Sequence, residues 1–218
     1  MGEATARLVH QLGADVVALD IQPPRYGFAP TIRNDLRDRG AIEQAVEEVT
    51  QARVHNFTAW PARVKLPAVD VVTVNFISQR HMINLHGAAP AARRRHRQRV
   101  LGAGMGYLFF GKQLQPFLAL TDFADAQAWV RQNEQEAWFE PYSFSKMCSI
   151  VFTLRAGGDI TTPTGVRVNC IAPGPTDHRH DARLCRADRR GIFRALSQTH
   201  WAQLDGGGTG LAAGIPQQ

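Results

Sequence analysis

Tyr142 and Lys146 stand four residues apart in the run Pro-Tyr-Ser-Phe-Ser-Lys. Residues with this spacing lie on one face of a helix, one turn from each other. A lysine ammonium held beside a phenol favours the phenolate, so a group whose ordinary pKa is about 10 can transfer protons closer to neutrality. The pair therefore predicts acid–base chemistry on a helix.

A second informative run follows after a helix-length gap, with the sequence Val-Arg-Val-Asn-Cys-Ile-Ala-Pro-Gly-Pro-Thr over 166–176. It predicts a short apolar strand over 166–172 that is closed by Pro-Gly. Parallel α/β sheets bind their ligands at the carboxyl ends of the strands. The alternative interpretation of both runs is an ordinary amphipathic helix followed by a buried strand.

The elements that would position these residues alternate along the chain. Helical spacing of apolar residues predicts helices over 3–13, 35–49, 68–85, 123–132 and 142–155, and apolar runs predict strands over 15–20 and 166–172. Gly13 is a predicted stop for the first helix, and Thr121 or Asp122 is a predicted cap for the fourth. Alternating strands and helices favour an α/β fold with parallel strand pairing.

A tyrosine and a lysine in the pattern Tyr-x-x-x-Lys, then a helix, then a strand ending in Pro-Gly, resemble the short-chain dehydrogenase/reductase family. The resemblance covers most of 1–177 and implies a Rossmann-like, doubly wound parallel sheet. It also implies NAD(P)-dependent oxidoreduction of a CH–OH group. In that reaction Tyr142 transfers the proton, and Lys146 lowers the tyrosine pKa and binds the nicotinamide ribose. Asn75 matches the asparagine that helps to hold a proton-relaying water.

The resemblance also implies which residues contact the cofactor. Asp20, at the end of the strand over 15–20, matches the acidic residue that holds the adenosine ribose. It favours NAD over NADP, because a carboxylate repels a 2′-phosphate; the alternative is a turn residue at a strand end. The further cofactor contacts that the resemblance implies are Gly2, Asp35, Leu36, Lys146, Ile171, Pro173, Gly174 and Thr176.

Three parts of the family pattern are missing. Only Met1-Gly2 represents the glycine-rich phosphate loop, which suggests that the first strand lies upstream of this start. No serine occurs between Ser78 and Tyr142, and Gly102 stands where the catalytic serine aligns. The end of the chain lacks the family's last strand. We therefore expect an incomplete Rossmann-like domain over 1–177, an aberrant segment over 178–218, and impaired activity.

One hypothesis accounts for the missing serine and the aberrant end. With suitable codons, the bases encoding 200–218, read from their second base, give a segment similar to the family's Gly-Arg-x-x-x-x-Glu-Glu-x-Ala. The bases encoding 96–102, read in the same way, give Ile-Val-Asn-Val-Ser-Ser. We hypothesise that these segments are out of frame, and the nucleotide sequence of the gene tests this.

The long stretch between Gly102 and Tyr142 resembles the branch of the family that contains 3α-hydroxysteroid and coniferyl-alcohol dehydrogenases. That branch implies a hydrophobic hydroxysteroid or aryl alcohol as the substrate. A different class of function stays open, in which the chain is a catalytically inactive binding or dimerisation protein. The helices over 68–85 and 142–155 would then serve for pairing.

Composition bounds the remaining possibilities. The net charge is +6, and arginines cluster over 93–99 and 179–190. Clustered arginines can bind nucleic acid, but no interleaved aromatic platform accompanies them, so we expect no nucleic-acid partner. The three cysteines have no metal-ligand spacing, and we expect free thiols, no metal and a cytoplasmic location. No apolar run reaches the ~20 residues of a membrane span, and the first residues do not form a signal peptide. A homodimer or homotetramer is the expected assembly.

Overall fold

A computed structural model describes residues 2–22, 27–50, 56–59, 66–87, 95–99, 102–136, 138–156 and 167–171. The helices are α1 Gly2–Gln11, α2 Arg39–Thr50, α3 Ala68–Val72, α4 Ser78–Gly87, α5 Tyr107–Ala119, α6 Phe123–Asn133 and α7 Pro141–Ala156. The strands are β1 Ala18–Asp20, β2 Thr31–Arg33, β3 Asn56–Ala59, β4 Arg95–Arg99 and β5 Arg167–Ile171. A π-turn at Thr73–Ile77 joins α3 to α4, and a 3₁₀ turn at Gly102–Gly106 precedes α5.

All strand pairs among the described residues are parallel, as the alternation of elements predicts. β1 pairs with β2 in a two-stranded sheet, and β4 lies between β3 and β5 in a three-stranded sheet. The arginine-rich run Arg-His-Arg-Gln-Arg therefore forms the middle strand of its sheet, where the family would place an apolar strand. Such a strand is held by backbone pairing and not by its own apolar pattern.

The chain divides into two compact units, Met1–Pro173 and Gly174–Gln218. Every helix and strand named above lies in the first unit. The second unit lies outside the described residues, so the aberrant segment predicted over 178–218 stays a prediction.

Local hydrogen bonds explain where three helices begin or end. α1 ends in a Schellman motif, in which the N–H of Gly13 (φ 86°) donates to His10 and that of Ala14 donates to Val9. α6 begins after Asp122, whose carboxylate accepts from two backbone N–H groups of the first turn. α2 begins at Arg39 and not at the predicted residue 35, because the carboxylate of Asp38 accepts from the N–H groups that follow it.

The helix predicted over 68–85 is not one regular α-helix. At the π-turn, the N–H of Ser78 donates to the carbonyl of Thr73, five residues earlier. The Val74 carbonyl accepts from two side chains, the Ser78 hydroxyl at 3.1 Å and the Gln79 amide at 3.3 Å. The helix predicted over 68–85 is confirmed as a continuous helical segment from Ala68 to Gly87. The π-turn inside it was not predicted, because apolar periodicity does not reveal one inserted residue.

α7 lies in the middle of the hydrophobic core. Its Phe144 is fully buried and packs on Phe117 of α5 at 4.9 Å between ring centroids, and on Trp129 of α6 at 5.6 Å. Phe76 of the π-turn lies 5.8 Å from Phe117 by the same measure. The sequence from α5 through α6 thus covers the π-turn and α7, and fixes both elements in one core.

Candidate active site

Tyr142 is placed by the way α7 begins. Pro141 is the first helical residue, where a missing N–H costs nothing. The Glu140 carboxylate accepts from the backbone N–H of Tyr142 at 3.1 Å and of Ser143 at 2.6 Å. These bonds satisfy the open donors of the first turn and hold the half-buried Tyr142 at the start of a rigid helix.

Lys146 lies one turn further along α7 and is 1% exposed. Its Nζ atom lies 5.5 Å from the centroid of the Tyr142 ring. The structure therefore brings together the two groups that the sequence analysis pairs. An ammonium so close to a phenol, and so far removed from water, interacts with it much more strongly than an exposed pair does.

Asn75 reaches the same helix from the π-turn. It is fully buried, and its Nδ2 donates to the Oγ atom of Ser145 at 3.3 Å. The Ser145 hydroxyl in turn donates to the carbonyl oxygen of Tyr142 at 2.7 Å. The three predicted catalytic residues are thus connected through one helix turn and one intervening serine.

Two predicted cofactor residues lie at the carboxyl ends of neighbouring strands. Asp20 is the exposed last residue of β1, and one of its carboxylate oxygens accepts from the N–H of Gln22 at 2.9 Å. Asp35 lies two residues after the end of β2, and its carboxylate is bound by Arg37 at 2.7 Å. The Arg37 guanidinium lowers the pKa of Asp35 by hydrogen bonding and charge. A ligand at Asp35 would therefore share this carboxylate with Arg37.

The other predicted cofactor residues are more scattered. Leu36 is half-buried against the hydrophobic core. Gly2 is the first residue of α1, and Ile171 is the half-exposed last residue of β5. Pro173, Gly174 and Thr176 lie outside the described residues. Within the described ranges, no helix is long and apolar enough to cross a membrane.

Sequence reasoning missed two groups that shape the site. Ser145 has no sequence signal beyond its place between Tyr142 and Lys146, because its partner Asn75 is 70 residues away. Gly104 was also missed. A Cβ atom built on Gly104 would lie 3.0 Å from the carbonyl oxygen of Lys146. This close approach is visible only once the 3₁₀ turn is seen to pack on α7.

Comparisons with known proteins identify similar sequences and similar folds. No protein-family profile matches the chain. The chain is 27% identical over 180 residues to a coniferyl-alcohol dehydrogenase from Pseudomonas sp. (strain HR199 / DSM 7063). The aligned region covers 80% of this chain and 68% of that protein. It is therefore similar in sequence to a dehydrogenase over most of its length.

Solved structures show the same fold. The 3-alpha-hydroxysteroid dehydrogenase from Pseudomonas sp. B-0831, complexed with NADH, superposes with a TM-score of 0.64 at 21% identity, covering 92% of this chain and 76% of that one. A short chain dehydrogenase from Leptospira borgpetersenii with bound NAD+ gives 0.53 at 16% identity, covering 82% and 68%. The resemblance drawn from Tyr142 and Lys146 is confirmed: the described residues form an incomplete Rossmann-like α/β fold, and the chain is similar to short-chain dehydrogenases.

Proposed function

We propose that this chain is an NAD-dependent oxidoreductase that interconverts a hydrophobic alcohol and the matching ketone or aldehyde. The observation that carries the proposal is the buried Lys146 side chain, whose Nζ atom lies 5.5 Å from the ring centroid of Tyr142. This pair occurs in a fold whose solved relatives bind NADH or NAD+. The pair adds chemical information that the fold lacks, because fold alone does not determine function.

The described residues fit the two ends of NAD to different degrees. Asp20 ends β1 with one carboxylate oxygen bonded to Gln22, so its other oxygen is available for a ribose hydroxyl. Lys146 lies beside Tyr142, where a second ribose would be held. Asp20 and Ile171 each end a strand of a parallel sheet, and such ligands bind at the carboxyl ends of parallel strands. The carboxylate at Asp20 also supports NAD over NADP.

In this proposal the chain's own residues move a proton and hold the reactants. Bound NAD supplies the hydride chemistry. The Tyr142 hydroxyl gives its proton to the substrate oxygen in reduction, and the phenolate accepts it in oxidation. The charge on Lys146 stabilises that phenolate. Asn75 is held at the same turn through Ser145, where it would support a water that relays protons to the lysine.

Activity is expected to be low. Gly102 stands where the family has a serine hydroxyl, and loss of such a donor to a developing oxyanion lowers the rate by about 10²–10³. The out-of-frame hypothesis for 96–102 and 200–218 offers a cause. If it is right, a gene with the restored reading frame encodes a more active protein.

The substrate class follows from the named relatives. One of them acts on coniferyl alcohol and another on a 3α-hydroxysteroid, so both turn over bulky, mostly apolar alcohols. We therefore propose a hydroxysteroid or aryl alcohol as the substrate. A cytoplasmic location and a homodimer or homotetramer complete the proposal, and sedimentation measures the latter.

The test combines binding with turnover. NADH binding is followed by fluorescence titration, and oxidation of an aryl alcohol and a hydroxysteroid is followed by NADH absorbance. Tyr142→Phe is expected to lower kcat by about 10²–10⁴, because it removes the proton donor. Tyr107→Phe is the matched control, since Tyr107 packs on the core at the start of α5 and is expected to leave kcat unchanged. Equal kcat values in the two variants would refute the assignment.

The alternative, a catalytically inactive binding or dimerisation protein, predicts self-association without affinity for NADH. One feature of the fold weighs against pairing through the predicted helices. Phe117 of α5 packs on both Phe76 and Phe144, so a segment of the same chain already covers these helices. Self-association without NADH binding would nevertheless favour this alternative.

A further inference from the structure

A buried hydrogen bond joins the π-turn to the helix that carries Tyr142 and Lys146. The Nδ2 atom of Asn75 donates to the Oγ atom of Ser145 over 3.3 Å, and both residues are fully buried. The contact joins two elements that are 70 residues apart in the sequence.

The direction of this bond is set by a second one. A serine hydroxyl has one proton to donate and can accept two hydrogen bonds. Ser145 donates its proton to the carbonyl of Tyr142 at 2.7 Å, so towards Asn75 it can only accept. Asn75 must then present its NH₂ group to Ser145, and this fixes which way its carboxamide points.

The π-turn departs from regular α-helical pairing, because the N–H of Ser78 donates to the carbonyl of Thr73, five residues earlier. Its Val74 carbonyl accepts from the side chains of Ser78 and Gln79. From the other side, Gln127 of α6 donates to the Thr73 hydroxyl at 3.3 Å. Side-chain contacts therefore hold the irregular turn from two directions, and Ser145 is the contact that comes from the catalytic helix.

We propose that Ser145 is a positioning residue, which holds the Asn75 carboxamide in register with Tyr142 and Lys146. This inference rests on the proposed function, because the aligned groups are those of the proposed proton transfer. Ser145 does not touch the substrate in this scheme and acts only through Asn75. Its loss should therefore change the rate of the chemical step more than the binding of NADH.

The test compares Ser145→Ala with Ser149→Ala. Ser149 is equally suited as a control, because it is buried on the same helix and its hydroxyl donates to a backbone carbonyl, that of Ser145, at 2.9 Å. We expect Ser145→Ala to lower kcat about threefold to tenfold, the value of one neutral hydrogen bond. In Ser145→Ala, the NADH affinity and KM should stay within about twofold of those of the unmodified chain. Ser149→Ala should have the same kcat as the unmodified chain.

Two further variants separate positioning from general damage. Ser145→Thr keeps the hydroxyl and should recover kcat. In the background of Asn75→Ala, the change Ser145→Ala should have no additional effect on kcat, since Ser145 acts through Asn75. If Ser145→Ala does not fold, Ser145→Cys replaces it, because the thiol is of similar size and hydrogen-bonds weakly.

The outcomes distinguish the two proposals. A chain that binds NADH and turns over, but has equal kcat values for Ser145→Ala and Ser149→Ala, overturns the positioning role alone. Additive losses in the Asn75→Ala background also overturn it. An unmodified chain with neither NADH binding nor turnover refutes the proposed function, and the positioning role falls with it.

Discussion

Replacing Gly104 with alanine should destabilise the protein and disturb Lys146. The added Cβ would lie 2.7 Å from the Cδ1 atom of Ile150 and 3.0 Å from the carbonyl oxygen of Lys146. The isoleucine end can rotate away, but the carbonyl belongs to the backbone of α7 and cannot move alone. Overpacking of this kind costs about 1–3 kcal/mol, and alanine recovers about 0.5–1 kcal/mol of backbone entropy. The expected net loss is about 0–2.5 kcal/mol, with a central value of about 1 kcal/mol.

Gly111→Ala is the matched control for this change. Gly111 lies inside α5, and a Cβ atom there would have no neighbour within 4 Å. The substitution should stabilise the protein by about 0.5–1 kcal/mol, because alanine is the better helix former. Urea unfolding of both variants measures the difference from the midpoints, provided that the slopes are equal.

The activity of the same two variants adds a second measurement. Because the clash falls on the carbonyl of Lys146, Gly104→Ala should also lower kcat, whereas Gly111→Ala should not. If the two variants unfold at the same urea concentration, the 3₁₀ turn does not pack on α7 as described. If Gly104→Ala loses stability and keeps full kcat, the turn packs there without influencing Lys146.

Two other predictions concern stability. Phe144→Ala should lower the free energy of unfolding by about 3–5 kcal/mol, because it empties a fully buried site. Phe109→Ala changes a side chain that is 83% exposed and should alter this free energy by no more than about 0.5 kcal/mol. Thermal unfolding of the two variants measures the difference. Acid should destabilise the fold, since hydrogen bonds from Arg37 and Arg39 lower the pKa values of Asp35 and Glu43. Carboxyl groups with lowered pKa values stabilise the folded state above their unfolded pKa of about 4, and this contribution is lost as the pH falls through the folded values. Urea midpoints that do not change between pH 6 and pH 3 would contradict this.

Features decided by neighbouring residues could be predicted from the sequence. The helix predicted over 142–155 is found at Pro141–Ala156, and the strand predicted over 166–172 is found at Arg167–Ile171. The cap at Asp122 and the stop at Gly13 are confirmed, because each rests on hydrogen bonds within a few residues. In such cases residue type and spacing are nearly sufficient to predict the local structure.

Features decided by distant contacts could not be predicted. α5 was missed because Gly106 gives no capping signal and Pro116, inside the helix, normally marks a helix end. Pro116 is tolerated because Leu114 and Phe117 are fully buried on either side of it. β4 has no apolar pattern and is a strand because two neighbouring strands pair with it. Local propensity is overridden in both segments by tertiary contacts.

The site combines residues that are placed by their neighbours in the sequence with residues that are placed by distant contacts. Tyr142 and Lys146 share one helix, whose start is fixed by Pro141 and Glu140, so their spacing survives changes elsewhere in the chain. Asp20 lies in the separate two-stranded sheet, so the adenosine contact proposed for it would depend on other residues than proton transfer does. Damage to the strands should therefore weaken NADH affinity before it disturbs the Tyr142–Lys146 pair. A chain with weak NADH binding but a Tyr142-dependent residual rate is the behaviour that this division implies.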